Sequence, residues 1–470
     1  MTIITEGGIR PSRIEYVPEP VQGQSPQNPA WNMPSERVTS FNPGFAISYS
    51  EDAGLGYVDY DRRPILEENE LELEYALQQW FLDANGNLQD MAAYGLLRNS
   101  NVLPSSLTVV RRMESGDQSG ANAPLLQPSS TVNARYNPSA ASDGSTSSAK
   151  AARTYAVLKG VDVNEGSINS ERGESAVMAE LTCPAERGRS YHIDQPNAQT
   201  TLVLYSTNAN DTGKQITIED ENAGTSETVT LDSADATVLK ATTSAFADID
   251  AIQVADENGN VVGRNGADYL GNIVIAIDEG DPSSTSYTPT EGEWLSVMWG
   301  SNKYGDTHGD EGVPLLGTGS HATAISGAGN QPQYYKPANL GIQRPPGADI
   351  EHAGGVQGLE ATFENNVERT PQAGRQQIQH HGMRALESTI TMFGETVSSY
   401  FQRIAMTGQG EDTRFIFDRA GNEYIDWRNA VISEIDMETE AGENSMEREA
   451  TAMARRGPDD EAAVAVSNAS

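Results

Sequence analysis

Six histidines, one cysteine and 67 acidic residues are the side chains in this sequence most able to do chemistry. Their spacing supports no known arrangement. His192, His308, His321, His352, His380 and His381 form no HExxH pattern, the spacing that sets two imidazoles on one helix face for a metal. GDTHGDEG around His308 holds three acids that would suit a cation, but it reads more simply as a solvated acidic loop. The glycines of GTGSHATAISGAG, from Gly317, do not lead from a strand into a helix, so they make no phosphate cradle. GxSxG is absent, Cys183 has no base near it in sequence, and DENGN at Asp256 reads as a turn rather than a calcium loop. Carboxylates are too numerous for any pair to stand out. No nucleophile, base and oxyanion donor come together. The expectation is a protein that is not an enzyme, with no catalytic, cofactor-binding or metal-binding residues.

Charge is the strongest compositional signal. The 470 residues carry 31 Lys and Arg against 67 Asp and Glu, a formal net charge of −36, and only six of the bases are lysines. The acids are spread along the chain. An acidic surface poor in lysine suits concentrated salt, where screening removes most of the self-repulsion. The same charge argues against tight nucleic-acid binding, which needs cations to neutralise phosphates. The length allows two to four domains at about 100–200 residues each. Apolar residues are 37%, and 44 Gly with 23 Pro imply many turns. A single cysteine excludes an intramolecular disulfide. MTIITEGGIRPSRIEYVPEP lacks a signal-peptide apolar core, and no run approaches the ~20 apolar residues of a membrane span. The expectation is no membrane partner.

The elements that would hold such a chain together occur twice. Residues 155–188 align without a gap to residues 424–457, with identities at Tyr155/Tyr424, Glu165/Glu434, Glu171/Glu440, Gly173/Gly442, Glu174/Glu443, Glu180/Glu449, Thr182/Thr451, Ala185/Ala454, Arg187/Arg456 and Gly188/Gly457. The pairs Gly173–Glu174 and Gly442–Glu443 lie between strand-like stretches, where a turn needs a residue tolerant of positive φ. Upstream, Phe45, Ile47 and Tyr49 alternate as a half-buried strand does, and so do Leu359, Ala361 and Phe363. Leu71, Leu73, Tyr75 and Leu77 share one face of a second strand, matched by Leu386, Ile390 and Met392. A short helix follows in each half, with Leu88, Met91, Ala92, Gly95 and Leu96 at helical spacing and Val397, Tyr400, Phe401, Ile404 and Ala405 likewise. Strands at 106–110 and 414–417 lead into the repeated hairpin.

The division expected from these patterns is an extended arm over 1–40, a first copy over 41–189 with a loop insertion at 114–153, a β-sandwich over 190–290, a Pro- and Gly-rich linker arm over 291–350, a second copy over 351–457 and a flexible tail over 458–470. Within 190–290, TLVLYS, KQITIED, SETVTLD, ATVLKAT, DAIQVADE and NIVIAID are short strands at regular spacing, a pattern of immunoglobulin-like and related sandwiches.

The second copy, from GLEATFENNVERTPQAGRQQIQHHGMRALESTITMFGETVSSYFQRI to AVISEIDMETEAGENSMEREATAMA, resembles tail tube proteins of long-tailed, siphovirus-like viruses; the first copy resembles them more loosely. The resemblance leaves 191–350 uncovered and rests on fold-level motifs. It implies a mainly β chain: two tail-tube-type β-sandwich, barrel-forming domains, each with a short flanking helix, plus an immunoglobulin-like β-sandwich insertion. It implies six such domains in a ring, so a duplicated chain would form trimeric, pseudo-hexameric rings that stack into a hollow tube. The partners implied are other copies of the chain and other tail proteins, with viral DNA passing unbound through the lumen. The site would be the virion tail, built from protein made in the host cytoplasm, and the charge points to a halophilic, plausibly archaeal host. Long loops at 50–70 and 364–385 would reach the next ring. Glu72, Glu74, Glu434, Asp436 and Glu438 would face the lumen or solvent, repelling phosphates. A head decoration, a turret or a distal-tail ring would use similar sandwiches and arms, and stays open as the alternative.

Overall fold

The structure, a computed structural model, describes residues 12–52, 61–97, 106–113, 153–171, 173–193, 195–196, 199–220, 225–246, 249–262, 269–277, 294–301, 309–317, 334–347, 351–352, 356–372, 375–380, 385–393, 410–418, 420–438, 447–455 and 462–468. The chain is mainly β. Its first part holds β1 (Ser12–Pro18), β2 (Val38–Asp52), β3 (Asp61–Ala76), the helix α1 (Met91–Leu96), β4 (Leu107–Met113), β5 (Arg153–Val161), β6 (Glu165–Glu171), β7 (Met178–Ala185) and β8 (Arg187–Ile193). These form two layers. An outer sheet runs β1-β4-β5-β8, and an inner one runs β6-β7-β3-β2. Leu71, Leu73 and Tyr75 of β3, Leu181 and Cys183 of β7 and Ile168 of β6 are buried between the layers. The period-2 alternation of β3 and β7 makes this possible, because every second side chain points to the same face.

The middle of the chain holds β9 (Leu202–Ser206), β10 (Gln215–Asp220), β11 (Ser226–Thr230), β12 (Lys240–Ala241), β13 (Ile249–Ala255), β14 (Ile273–Ile277), β15 (Trp294–Met298) and β16 (Gly312–Val313). They make two facing four-stranded sheets, β11-β10-β13-β16 and β12-β9-β14-β15. β9, β13 and β14 are buried throughout; β14 is an unbroken apolar run, whereas β13, IDAIQVA, buries Asp250 and Gln253 among its apolar residues. The core of this sandwich continues into Val17, Val110, Tyr155, Val157, Tyr191 and Ile193, which line the far face of the β1-β4-β5-β8 sheet. That sheet is therefore covered on both faces.

The last part holds β17 (Gly341–Gln343), β18 (Glu351–His352), β19 (Val356–Glu364), β20 (Val367–Gln372), β21 (Arg375–His380), β22 (Ala385–Phe393), β23 (Glu411–Ile416), β24 (Tyr424–Glu438), β25 (Glu447–Met453) and β26 (Val464–Val466). Its strand pairings repeat those of the first part residue for residue. Leu107 opposite Val161 corresponds to Glu411 opposite Ala430, and each pairing is followed by a register shift. Leu73 opposite Leu181 corresponds to Ile390 opposite Ala450. Glu165 opposite Thr182 corresponds to Glu434 opposite Thr451. Gly160 has φ +61° and its counterpart Asn429 has φ +47°. Both residue types tolerate the left-handed region that this bend requires.

The two parts meet edge to edge. β19 pairs with β6, Leu359 opposite Ser170 and Glu364 opposite Glu165. The inner strands thus form one antiparallel run, β24-β25-β22-β19-β6-β7-β3-β2. At the joint the Phe363 ring lies across Gly166 and under Gly95 of α1, and a methyl group on either glycine would collide with it.

Several expectations are corrected. The arm over 1–40 contributes β1, which pairs with β4 along its full length. The linker arm over 291–350 contributes β15 and β16 to the sandwich and β17 to the second outer sheet. In the tail, β26 pairs with β24, and Trp80 Nε1 donates to the Ser467 carbonyl at 2.6 Å. The loops at 50–70 and 364–385 are largely hairpin arms: β2 and β3 pair as far as Asp52 and Asp61, and β20 pairs with β21. VERTPQ and RQQIQH carry no apolar alternation, so their backbone pairing left no trace in the residue types. The upstream strand equivalence shifts by four residues, with Phe41 matching Leu359 and Phe45 matching Phe363. The helix expected over 397–405 and nearly all of the insertion 114–153 lie outside the described residues.

Candidate functional site

One face of the inner sheet is the core face; the other is a concave, acidic surface. On β3 the sequence LELEY buries Leu71, Leu73 and Tyr75 and turns Glu72 and Glu74 outward, Glu72 exposed and Glu74 half-buried. The register brings further acids beside them. Glu74 lies opposite Glu180, Glu165 lies opposite Thr182 on one side and Glu364 on the other, and Thr362 lies opposite Glu387. Glu72, Glu74, Glu165, Glu180, Glu364 and Glu387 surround a concavity of about 710 Å³ that, among the described residues, no Lys or Arg lines. Asn42 Nδ2 donates to Glu72 at 3.0 Å. Like charges directly opposite each other destabilise a sheet by roughly 0.2–1 kcal/mol per pair. Salt screens most of that at exposed positions.

The remaining singled-out residues are placed as follows. Gly173 has φ +105° and is the third residue of a turn closed by the Glu174 amide, which donates to the Glu171 carbonyl at 3.2 Å; both Gly173 and Glu174 are exposed. Gly442 and Glu443 lie outside the described residues. Glu434 is exposed, opposite Thr451. The backbone register sets Asp436 opposite Glu449 and Glu438 opposite Glu447; the side chains of Asp436 and Glu438 lie outside the described residues. Glu165, Glu180, Glu364 and Glu387 were not singled out from sequence, although two of them, Glu165 and Glu180, are identities of the repeat. What hid them is that their neighbourhood forms only when β19 meets β6, some 190 residues away in sequence.

Among the described residues no group of three His, Cys, Asp or Glu side chains has metal-holding geometry, and no helix is long and apolar enough to cross a membrane. Cys183 is buried, and burial raises its thiol well above the usual range, which leaves it an inert thiol rather than a nucleophile.

No family model and no curated protein matches the chain. Solved chains similar to part of it belong to gene transfer agent particles. A chain in the virion of a native particle is 14% identical, over 27% of this chain and 95% of that one, with a TM-score of 0.22. A chain in the tail of an empty particle, refined with C6 symmetry, is 13% identical, over 27% of this chain and 96% of that one, also with a TM-score of 0.22.

The inner run has two ends. At one end β2 pairs, among the described residues, only with β3. At the other, residues 434–438 of β24 pair only with β25 among the described residues. Among the described residues both ends offer unpaired backbone groups, which invite a further strand unless something covers them.

Proposed function

We propose that the chain is the structural subunit of a viral tail tube, with two copies of one ring-forming domain per chain and three chains per ring. The observation that carries this is the internal joint. The last inner strand of the first copy, β6, is met by the first inner strand of the second, β19, so the two copies already sit head to tail. Repeating a head-to-tail joint closes a ring when the rotation allows and otherwise winds an open filament. Each chain brings eight inner strands to such a ring, so three chains make a barrel of 24. Barrels of 16–18 strands already leave an aqueous channel, so one of about 24 has an open lumen. Closure also removes the exposed sheet edges.

The acidic face, with Glu72, Glu74, Glu434, Asp436 and Glu438, lines that lumen and lets DNA slide by repelling its phosphates. The sandwich rides on the outside, because it covers the face of the outer sheet turned away from the inner one. Gly173 turns the paired strands at the ring's rim. The net charge of −36 and the facing glutamates suit a virus of a halophilic host. The rings stack with one another and end on other tail proteins.

The test is the mass of the purified chain in molar salt, with negative-stain microscopy beside it. Trimers that stack into hollow tubes are expected. A stable monomer would overturn the reading, and closed rings that never stack would move the chain to a distal-tail ring, a turret or a head decoration.

A further inference from the structure

We infer that neighbouring chains join through β2 of one and residues 434–438 of the next, in the register that β19 and β6 hold inside the chain. This rests on the tube reading and names its contact residues. The register follows from equivalences already fixed by hydrogen bonding. Phe41 opposite Leu73 matches Leu359 opposite Ile390, so residues 42–46 stand where residues 360–364 stand in the second copy. Gly166 opposite Leu181 matches Ile435 opposite Ala450, so residues 434–438 stand where residues 165–169 stand in the first. Inside the chain, Glu360 faces Asn169 and Phe363 faces Gly166. Between chains, Asn42 then faces Glu438, Pro43 faces Met437, Gly44 faces Asp436, Phe45 faces Ile435 and Ala46 faces Glu434.

Two features of the two edges fit this pairing. Phe45 is 43% exposed, whereas Phe363 at the equivalent position of the internal joint is 2% exposed. The Phe45 ring packs against Gly188 of β8 on one side and is open to solvent on the other, and its twin is covered by the strand across the joint, so a partner strand at this edge would cover what is left exposed. Its partner would be the half-buried Ile435, which takes the place of Gly166; the Phe45 ring, seated on Gly188, would lie beside that side chain rather than across its backbone as Phe363 does. Charge selects the pairing as well. Residues 40–46 are SFNPGFA, without charge, and residues 434–438 are EIDME. Acids opposing acids would repel two β24 edges, whereas the neutral β2 edge meets β24 without a facing acid pair. The internal joint does set Glu364 against Glu165, which the covalent tether makes tolerable.

The test uses cysteine pairs in the full chain, whose single native thiol is buried. Asn42→Cys with Glu438→Cys, and Pro43→Cys with Met437→Cys, sample the two kinds of facing position in an antiparallel pair. After mild oxidation of assembled rings, at least one of these should give covalent trimers on non-reducing denaturing gels. Asn42→Cys with Glu434→Cys, four residues out of register and roughly 13 Å away along the strand, should give none. Phe45→Glu gives up the contact with Gly188, so it should lower the melting point of the isolated chain by a few degrees while leaving it folded with a cooperative transition, and it should abolish rings. Rings that link only out of register, rings in which neither in-register pair links, or rings that persist with Phe45→Glu would overturn this inference while leaving the tube standing. Failure of the unaltered chain to form rings would overturn the tube itself.

Discussion

At Asp90, helix capping and burial act on one carboxyl. Its Oδ1 accepts from the Ala92 amide at 2.8 Å and from the Tyr75 hydroxyl at 2.6 Å, while Oδ2 is buried without a hydrogen-bond partner among the described residues. Burial pushes its pKa up to about 7, against the opposing pull of those two donors. The folded chain therefore holds a proton that the unfolded chain releases near pH 4. Stability should fall as pH rises from about 4 through about 7, by up to ~4 kcal/mol for this group. Asp90→Asn keeps a capping side chain and removes the titration, so urea melts across that range should show a flatter slope for the variant. An unchanged slope would mean that Asp90 stays ionised. A second residue-scale outcome concerns the bend that both copies share. Gly160→Ala should destabilise by at least 1–2 kcal/mol, because φ is +61° and the added methyl would meet the Glu186 side chain. Asn429→Gly, at the equivalent bend, should change stability by less than about 1 kcal/mol. Denaturant midpoints of the two variants make the comparison.

At the scale of elements, the two copies differ where the sandwich docks. Val110, Val157 and Tyr155 in the first copy lie in the shared core with the sandwich. Their equivalents in the second copy are Arg414, Asp426 and Tyr424. Arg414 donates to Asp426 through Nε at 2.7 Å and Nη2 at 2.9 Å, and its guanidinium lies 3.5 Å from the centre of the Tyr424 ring. An apolar face needs a cover, and a bidentate ion pair stacked on an aromatic ring is stable in water. The dock is reinforced by buried charges. Arg112 pairs with Glu15 at 3.0 Å and donates to the Asp250 and Pro314 carbonyls, and Lys159 pairs with Glu311 at 2.8 Å. Glu15→Gln should cost up to about 3–5 kcal/mol by leaving Arg112 with the Asp250 carboxylate, 3.9 Å away, in place of its 3.0 Å partner, and it should loosen the sandwich first. Limited proteolysis that releases a fragment from residues 190–316 ahead of global unfolding would show this; simultaneous loss of both parts would not.

Much of this layer was legible in the residues. LELEY declared a strand with one wet face, and the ungapped repeat declared two hairpins of one kind. The acid face was half legible: Glu72 and Glu74 alternate visibly, but Glu364 and Glu387 become their neighbours only through the pairing of β19 with β6. The arms at 12–18 and 341–343 were not legible. A short strand that completes another sheet's edge needs backbone groups rather than an apolar period.

For the molecule as a whole, the account's central claim is that the internal joint is one sixth of a ring. Among the described residues the sandwich shares its core with the first copy and not the second, so a ring of three chains should present six inner domains but only three outer projections. Carboxylates facing the lumen should make assembly depend on salt, with rings forming in molar salt and dissociating as ionic strength falls toward 0.1 M. Light scattering across a salt titration reads this directly, and assembly that is indifferent to salt would remove the electrostatic part of the account. The most direct measurement is electron cryomicroscopy of the assembled chain viewed down the tube axis. The account predicts an open lumen bounded by a continuous barrel, six domains around it in alternating pairs, and three outer projections. A ring with six equivalent projections, a closed centre, or chains that meet through their outer sheets would contradict it.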